Sequence, residues 1–319
     1  MFKHPEQNQH ISRGHFLRSS AVITAGLLFS TTEMFAQTSP VIQMKNAIAK
    51  SPVTVTKLKE NFYVLEGAGG NIVVFNGPDG MLMVDCGIAL SQNKVASALK
   101  RISTGPVKYL IDTHWHFDHS EGNEWVHRAG ATIIAHENTR KNLSRSITMK
   151  DWNYTFKPAP KSALPTVIFQ KEHTLKFNGT EIEMKYYPPA HTDSDISVYF
   201  PDADVLHVAD TWGNSSYPFI DHSSGGKLDG IIDACNYNLD VTTDKTIIIP
   251  GHGQVGNRNQ LLEFRDMMAA VKENVSKLKK AGLSLPETIA AKPTAAFDAK
   301  FGNFIVDPKT FTMLVYKDV

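Results

Sequence analysis

Only two cysteines, Cys86 and Cys235, occur in 319 residues. Two thiols make no disulfide framework, so the chain must bury enough apolar surface to fold without one. Cys86 closes an apolar, strand-like run and reads as a buried free thiol. Excess charge of either sign is also missing. The 33 basic and 32 acidic residues leave a net charge of +1, which excludes the basic footprint of a nucleic-acid binder and any acidic or basic tail. No short repeat period is visible, and no Gly-x-Ser-x-Gly element offers a serine nucleophile. What is present is an ordinary globular balance, 42% hydrophobic and 20% charged, at a length suited to one large domain or two small ones.

The N-terminus reads as a secretory leader over residues 1–36. Lys3, Arg13 and Arg18 precede an apolar run, Ala21 to Phe29, and Ala36-Gln37 follows as a cleavage point. That run is too short to span a bilayer comfortably. Ser12-Arg13-Gly14-His15-Phe16-Leu17-Arg18 resembles a twin-arginine export signal, with Gly14 where the second arginine belongs. The expectation is a periplasmic or secreted protein with no transmembrane anchor once the leader is removed, and one domain over residues 37–319. That domain has equal numbers of acidic and basic residues.

Strand signals come first: Val53 to Thr56, Phe62 to Leu65, Ile72 to Phe75 and Met81 to Val84, separated by Gly and Pro-Asp-Gly turns. The period then changes, with Val95, Leu99 and Ile102 on one helical face. Val107 to Ile111 reads as a strand, Glu121 to Arg128 as a helix and Thr132 to Ala135 as a strand. The second half repeats this order. Its strands are Glu181 to Tyr186, Ile196 to Phe200, Val205 to Ala209 and Thr246 to Ile249, with helices over Lys227 to Leu239 and Gln260 to Lys280. Strands followed by strand–helix alternation, twice over, predict an α/β fold of two sheets with helices outside. Residues 141–170 and 211–226 resist assignment and read as lids or binding loops.

The chemistry is concentrated in Thr113-His114-Trp115-His116-Phe117-Asp118-His119, directly after a strand. Three imidazoles and a carboxylate so close together repel one another if protonated, whereas a divalent cation takes neutral imidazole and carboxylate as natural ligands. In an extended segment His114 and His116 point the same way and can grip one ion, while Asp118 and His119 turn toward another. Further along, His191, Asp210 and His252 each stand after or at the end of a strand, the edge where α/β sheets usually build sites.

This ordered set, His114, His116, Asp118, His119, His191, Asp210 and His252, resembles the full ligand series of the metallo-β-lactamase superfamily. Asp85-Cys86-Gly87 resembles that family's other short motif, whose aspartate buttresses the metal loop. The resemblance implies a four-layer αββα sandwich with two zinc ions at one edge. The first ion is held by His114, His116 and His191, the second by Asp118, His119 and His252, with Asp210 bridging them. One well-known lactamase subclass uses a cysteine near Asp210, and none stands here. Ala209-Asp210-Thr211 is similar both to the bridging-aspartate hydrolases and to a lactamase subclass that leaves this aspartate unused.

The implied activity is zinc-dependent hydrolysis. Zinc brings the pKa of bound water to about 7, a hydroxide shared by two ions attacks a carbonyl, and Asp118 orients it as the catalytic carboxylate. The small-molecule carbonyl substrate is an amide, lactone, ester or β-lactam, a true β-lactamase being one alternative. A di-iron oxidoreductase, whose relatives carry glutamate in place of His116, and a non-catalytic metal-stabilised binding module are the others. Trp152, Tyr154 and Phe156 in one irregular segment, and Trp212, Tyr217 and Phe219 just after Asp210, are the expected apolar walls of the substrate site. The remaining histidines, among them His136, His207 and His222, read as structural.

Overall fold

The apolar alternation of the first strands becomes the two faces of a sheet. The computed structural model describes residues 39–319; the leader expected over residues 1–36 lies outside the described residues. The first sheet contains, in spatial order, β1 (Thr54–Lys59), β2 (Phe62–Glu66), β3 (Ile72–Gly77), β4 (Gly80–Val84), β5 (Val107–Asp112), β6 (Thr132–His136) and β9 (Val167–Phe169). Between β6 and β9 the chain makes a separate hairpin, β7 (Ile147–Met149) and β8 (Tyr154–Phe156). β1 to β4 pair antiparallel, whereas β4, β5, β6 and β9 run parallel. The second sheet is β10 (Glu172–Phe177), β11 (Thr180–Tyr186), β12 (Ile196–Phe200), β13 (Val205–Gly213) and β14 (Ile247–His252), antiparallel except for the parallel pair β13–β14.

The two sheets pack face to face. Phe62, Val64, Val73, Phe75, Leu82 and Val84 of the first meet Ile182, Met184, Val198, Phe200 and Ile249 of the second. Phe62 stacks on Phe75 with ring centroids 4.6 Å apart, and Phe200 meets Phe62 edge-on at 4.9 Å. Alternate residues, Leu65, Ile72, Val74 and Met83, face outward and are covered by α2 (Gln92–Ile102) and α4 (Asn123–Arg128). The outer face of the second sheet is covered by α6 (Leu228–Val241), α7 (Arg258–Lys280) and α10 (Pro308–Asp318). In α7 the buried residues Leu261, Phe264, Met268 and Val271 recur at helical spacing, each contributing about 1.5–3 kcal/mol on full burial. The helix begins at a reciprocal cap, Asn257 with Gln260. The result is the four-layer αββα arrangement of the metallo-β-lactamase fold.

Several elements depart from the sequence reading. Residues 141–170 are not an irregular lid. They hold the end of α5 (Glu137–Leu143), the β7–β8 hairpin and β9, and the three-residue strands are too short to show a period. β13 runs past Asp210 to Gly213. α1 (Pro40–Lys50), α8 (Leu285–Ala290) and α9 (Asp298–Phe301) were not anticipated. Cys86 and Cys235 are both buried and free. Among the described residues no helix is long and apolar enough to cross a membrane.

Candidate metal centre

The ends of two parallel strand pairs, β4–β5 and β13–β14, bring the chemistry together. Residues 113–116 leave β5, and α3 (Phe117–Ser120) turns Asp118 and His119 back over the sheet edge. His191 stands between β11 and β12, Asp210 lies within β13, and His252 ends β14. The seven side chains form two groups, each able to hold a metal ion: His114, His116, His191 and Asp210, and Asp118, His119 and His252. Within each group the donor atoms lie within 4.8 Å of one another. In the first, His191 Nε2 is 2.8 Å from His116 Nδ1. In the second, His252 Nε2 is 3.2 Å from Asp118 Oδ2. Asp210 faces both: its Oδ1 is 3.2 Å from His119 Nε2, and its Oδ2 is 3.4 Å from His191 Nε2 and 3.5 Å from His252 Nε2.

The other nitrogen of most of these rings is tied down. His119 Nδ1 donates to Asp85 Oδ2 at 2.7 Å, His191 Nδ1 to the Phe219 carbonyl at 2.7 Å, and His116 Nε2 to Asp221 Oδ2 at 3.1 Å. His114 Nδ1 meets Thr113 Oγ1 at 3.1 Å. These contacts leave His114 Nε2, His116 Nδ1, His191 Nε2 and His119 Nε2 turned inward as acceptors, the arrangement that fixes metal-ligating imidazoles. His114 Nε2, His119 Nε2 and Asp210 Oδ1 are buried without a hydrogen-bond partner. Each such atom costs about 1–3 kcal/mol if nothing satisfies it, and a divalent cation among them removes the cost. The donor set fits zinc, which favours imidazole and carboxylate.

Protons show the same demand for positive charge. Burial opposes protonation of His119 and His252. The carboxylates around them outweigh it, raising His119 well above the usual imidazole range and His252 to about 10. His114 goes the other way: burial, with His119 beside it, holds it well below that range.

Three supports hold the cluster. Asp85, fully buried with φ +61°, accepts from Thr113 N and Thr113 Oγ1, both at 2.8 Å, as well as from His119. Asp221 was missed from sequence. Besides His116 it accepts from the backbone N–H of Ser223 at 2.9 Å and from the hydroxyls of Ser223 and Ser224. Burial opposes its ionisation, but His116 and the serines hold it below the usual carboxylate range. Its only sequence signal, Asp221 followed by two serines at short spacing, marks a turn. The third support joins the strand ends that carry Asp210 and His252. Ala209, with φ +47°, donates its N–H to His207 Nδ1 at 3.1 Å, and His207 Nε2 donates to the Asn71 carbonyl at 3.2 Å. The Asn71 amide donates in turn to the carbonyls of Pro250 and Gly253, at 3.0 and 2.9 Å. His207 therefore bridges these strand ends rather than merely filling space.

The family model for the metallo-β-lactamase superfamily matches residues 65–264, the span that carries all seven donors. The chain belongs to this superfamily. It is similar, at 23% identity over 68% of its length, to a linear primary-alkylsulfatase of Pseudomonas sp. (strain ATCC 19151), covering 48% of that protein. It is also similar, at 22% identity over 79% of its length, to a type 2 metallo-β-lactamase of Bacillus sp. (strain 170), covering 100% of it. Among solved structures, the inverting sec-alkylsulfatase Pisa1 from Pseudomonas sp. superposes with a TM-score of 0.67 at 18% identity, over 83% of this chain and 50% of that one. A metallo-β-lactamase from Pontibacter korlensis gives 0.55 at 20% identity, over 68% and 99%. The chain spans about half the length of the alkylsulfatases it matches.

In this superfamily member the donor groups open into a cleft. Trp152 and Phe219 form one wall, their rings 4.5 Å apart. Trp212 and Tyr217 reach the cleft from the core and are almost wholly buried. Tyr217 is pinned by its hydroxyl to Asp298 at 2.8 Å and by stacking on Phe311 at 4.5 Å. Tyr154 is not among the lining residues. It packs on Phe156 at 4.7 Å, beside the Lys45 ammonium, where the hairpin meets α1. Met44 of α1 and Phe304 and Ile305, from the loop between α9 and α10, were missed. Among the described residues no lysine or arginine lines the cleft.

Gly251 gives a sharp test of the packing. A Cβ there meets Asp210 Oδ1 at 1.8 Å, so Gly251→Ala must displace the carboxylate that faces both donor groups. Metal content and hydrolytic rate should both fall, the rate by about a hundredfold, as for a misplacement of about an ångström. Titration of the variant with zinc, followed by elemental analysis, checks this; wild-type occupancy contradicts it.

Proposed function

We propose that this superfamily hydrolase is an exported two-zinc enzyme that cleaves a small carbonyl compound, an amide, lactone, ester or β-lactam. The reading is carried by one observation: two donor groups, with Asp210 facing both, at the base of an apolar cleft. Bound there, zinc supplies Lewis acidity and a water of lowered pKa. The protein's part is positional. His114, His116 and His191 present one set of nitrogens, Asp118, His119 and His252 the second set, and Asp210 carboxylate oxygens to both. Asp118, on the first turn of α3, is the carboxylate that orients the attacking water. Trp152 and Phe219 exclude bulk water from one side of the cleft.

That no lysine or arginine lines the cleft among the described residues favours a neutral ester, lactone or amide over substrates that carry their own anion. A second reading is hydrolysis of an alkyl sulfate ester, favoured by the alkylsulfatase relatives and the apolar walls. The test is a panel of aryl esters, lactones, a chromogenic cephalosporin and an alkyl sulfate. Each is offered to zinc-loaded and to chelator-stripped protein. At least one neutral carbonyl compound should be turned over a thousandfold faster with metal, roughly 4 kcal/mol of barrier. No metal-dependent turnover of any member refutes the hydrolase reading.

Export rests on the charged–apolar–small order of residues 1–36. Intact-mass analysis of protein from its native host should place the first residue at or near Gln37, and a chain beginning at Met1 refutes export.

A further inference from the structure

Two of the large apolar side chains that the described residues leave exposed stand side by side at the cleft. Phe304 and Ile305 are 45% and 53% exposed, on the loop between α9 and α10. Both line the cleft. The Phe304 ring lies 6.1 Å from that of His252, in the second donor group. The Phe219 ring, also in the lining, lies 6.4 Å from His116 and 6.2 Å from His191, in the first group. The donors are therefore flanked by two apolar walls that differ in state. In the Trp152–Phe219 wall two half-buried rings meet at a tilt, whereas Phe304 and Ile305 are exposed to water. Adjacent exposed apolar groups beside a site are the mark of a surface that a ligand covers.

We infer that the substrate is a neutral ester or lactone whose acyl part carries a flexible apolar chain, and that this chain leaves the metal centre past His252 along Phe304 and Ile305. The inference rests on the proposed hydrolase reading for the reacting group, and on the exposed wall for the chain. Neutrality follows from the lining, which among the described residues offers no lysine or arginine to an anion. A chain is what such a wall can hold, since Phe304 and Ile305 stand side by side, about half exposed, next to His252. Burying each methylene is worth about two- to fourfold in binding.

Two measurements on the zinc-loaded full chain test this. For p-nitrophenyl acetate, butyrate, hexanoate and octanoate, kcat/KM should rise by about two- to fourfold per methylene. Phe304→Ser and Ile305→Ser should flatten that slope. Ile168→Ser, at an exposed apolar residue of β9 away from the cleft, should keep it. Calorimetry with methyl ketones of rising chain length reads the same wall without any reaction, and the dissociation constant should fall along the series in parallel. Ketone affinity that rises with length while no ester is hydrolysed sustains the chain-binding wall and sinks the hydrolase reading. A flat ketone series, or a slope that survives both serine variants, overturns the inference. Octyl sulfate hydrolysed faster than the octanoate ester overturns the neutral-substrate assignment.

Discussion

Asp210→Asn should leave the protein with one metal ion per chain or fewer and lower kcat/KM at least a thousandfold, about 4 kcal/mol. The substitution is nearly isosteric, so the fold should survive. What changes is charge and one donor atom. Asp210 Oδ1 faces His119 Nε2 at 3.2 Å, and Oδ2 faces His191 and His252 at 3.4 and 3.5 Å. An amide turns an NH₂ toward one of the donor groups and removes the negative charge that both share. Elemental analysis after purification without chelators, together with steady-state kinetics, decides the matter. Two metals per chain and activity within tenfold of wild type mean that Asp210 does not bridge, and that Ala209-Asp210-Thr211 behaves like the lactamase stretch that leaves its aspartate unused.

Asp85→Ala should be the most damaging change outside the donor groups themselves. The carboxylate is fully buried and satisfies three donors, Thr113 N, Thr113 Oγ1 and His119 Nδ1. Truncation leaves Thr113 N and His119 Nδ1 unpaired in the interior, at about 1–3 kcal/mol for each buried group, and Thr113 Oγ1 with only His114 Nδ1. It also frees the His119 ring, and losing such a support lowers metal affinity about 10- to 100-fold. The φ of +61° at Asp85 adds local strain, which alanine tolerates less well than aspartate. Thermal unfolding of the metal-free variant isolates the first effect, and zinc titration measures the second. Wild-type stability in the metal-free state would show that Asp85 is only a spectator.

The donor residues were legible because their pattern is local. Four lie between His114 and His119, and the other three sit beside strands whose β-branched runs are readable at short range. The sheets were legible for the same reason: Ile72 to Phe75 and Ile196 to Phe200 alternate or run apolar across strand lengths. What sequence missed depends on contacts across long separations. Asp221 meets His116 from 105 positions away, and Asn71 clasps the Pro250–Gly253 turn from about 180. Neither carries a local signature of that task. The aromatics show the limit differently. Trp212 and Tyr217 follow Asp210 and do reach the cleft, but most of each ring belongs to the core. Phe304 and Ile305, which give the cleft its open side, lie in a loop with no motif at all.

Each donor group draws on both halves of the sandwich. His114 and His116 leave the first sheet and meet His191 and Asp210 of the second; Asp118 and His119 meet His252 in the same way. An ion in either group is thus a non-covalent cross-link between segments about a hundred positions apart. No disulfide does that work, since both cysteines are free. Ligand linkage gives each ion about 2.7 kcal/mol of added stability at a free concentration a hundred times its dissociation constant, comparable to what a disulfide gives a small protein. With ions so held, metal supply would govern how long the folded chain resists proteolysis as well as how fast it turns over.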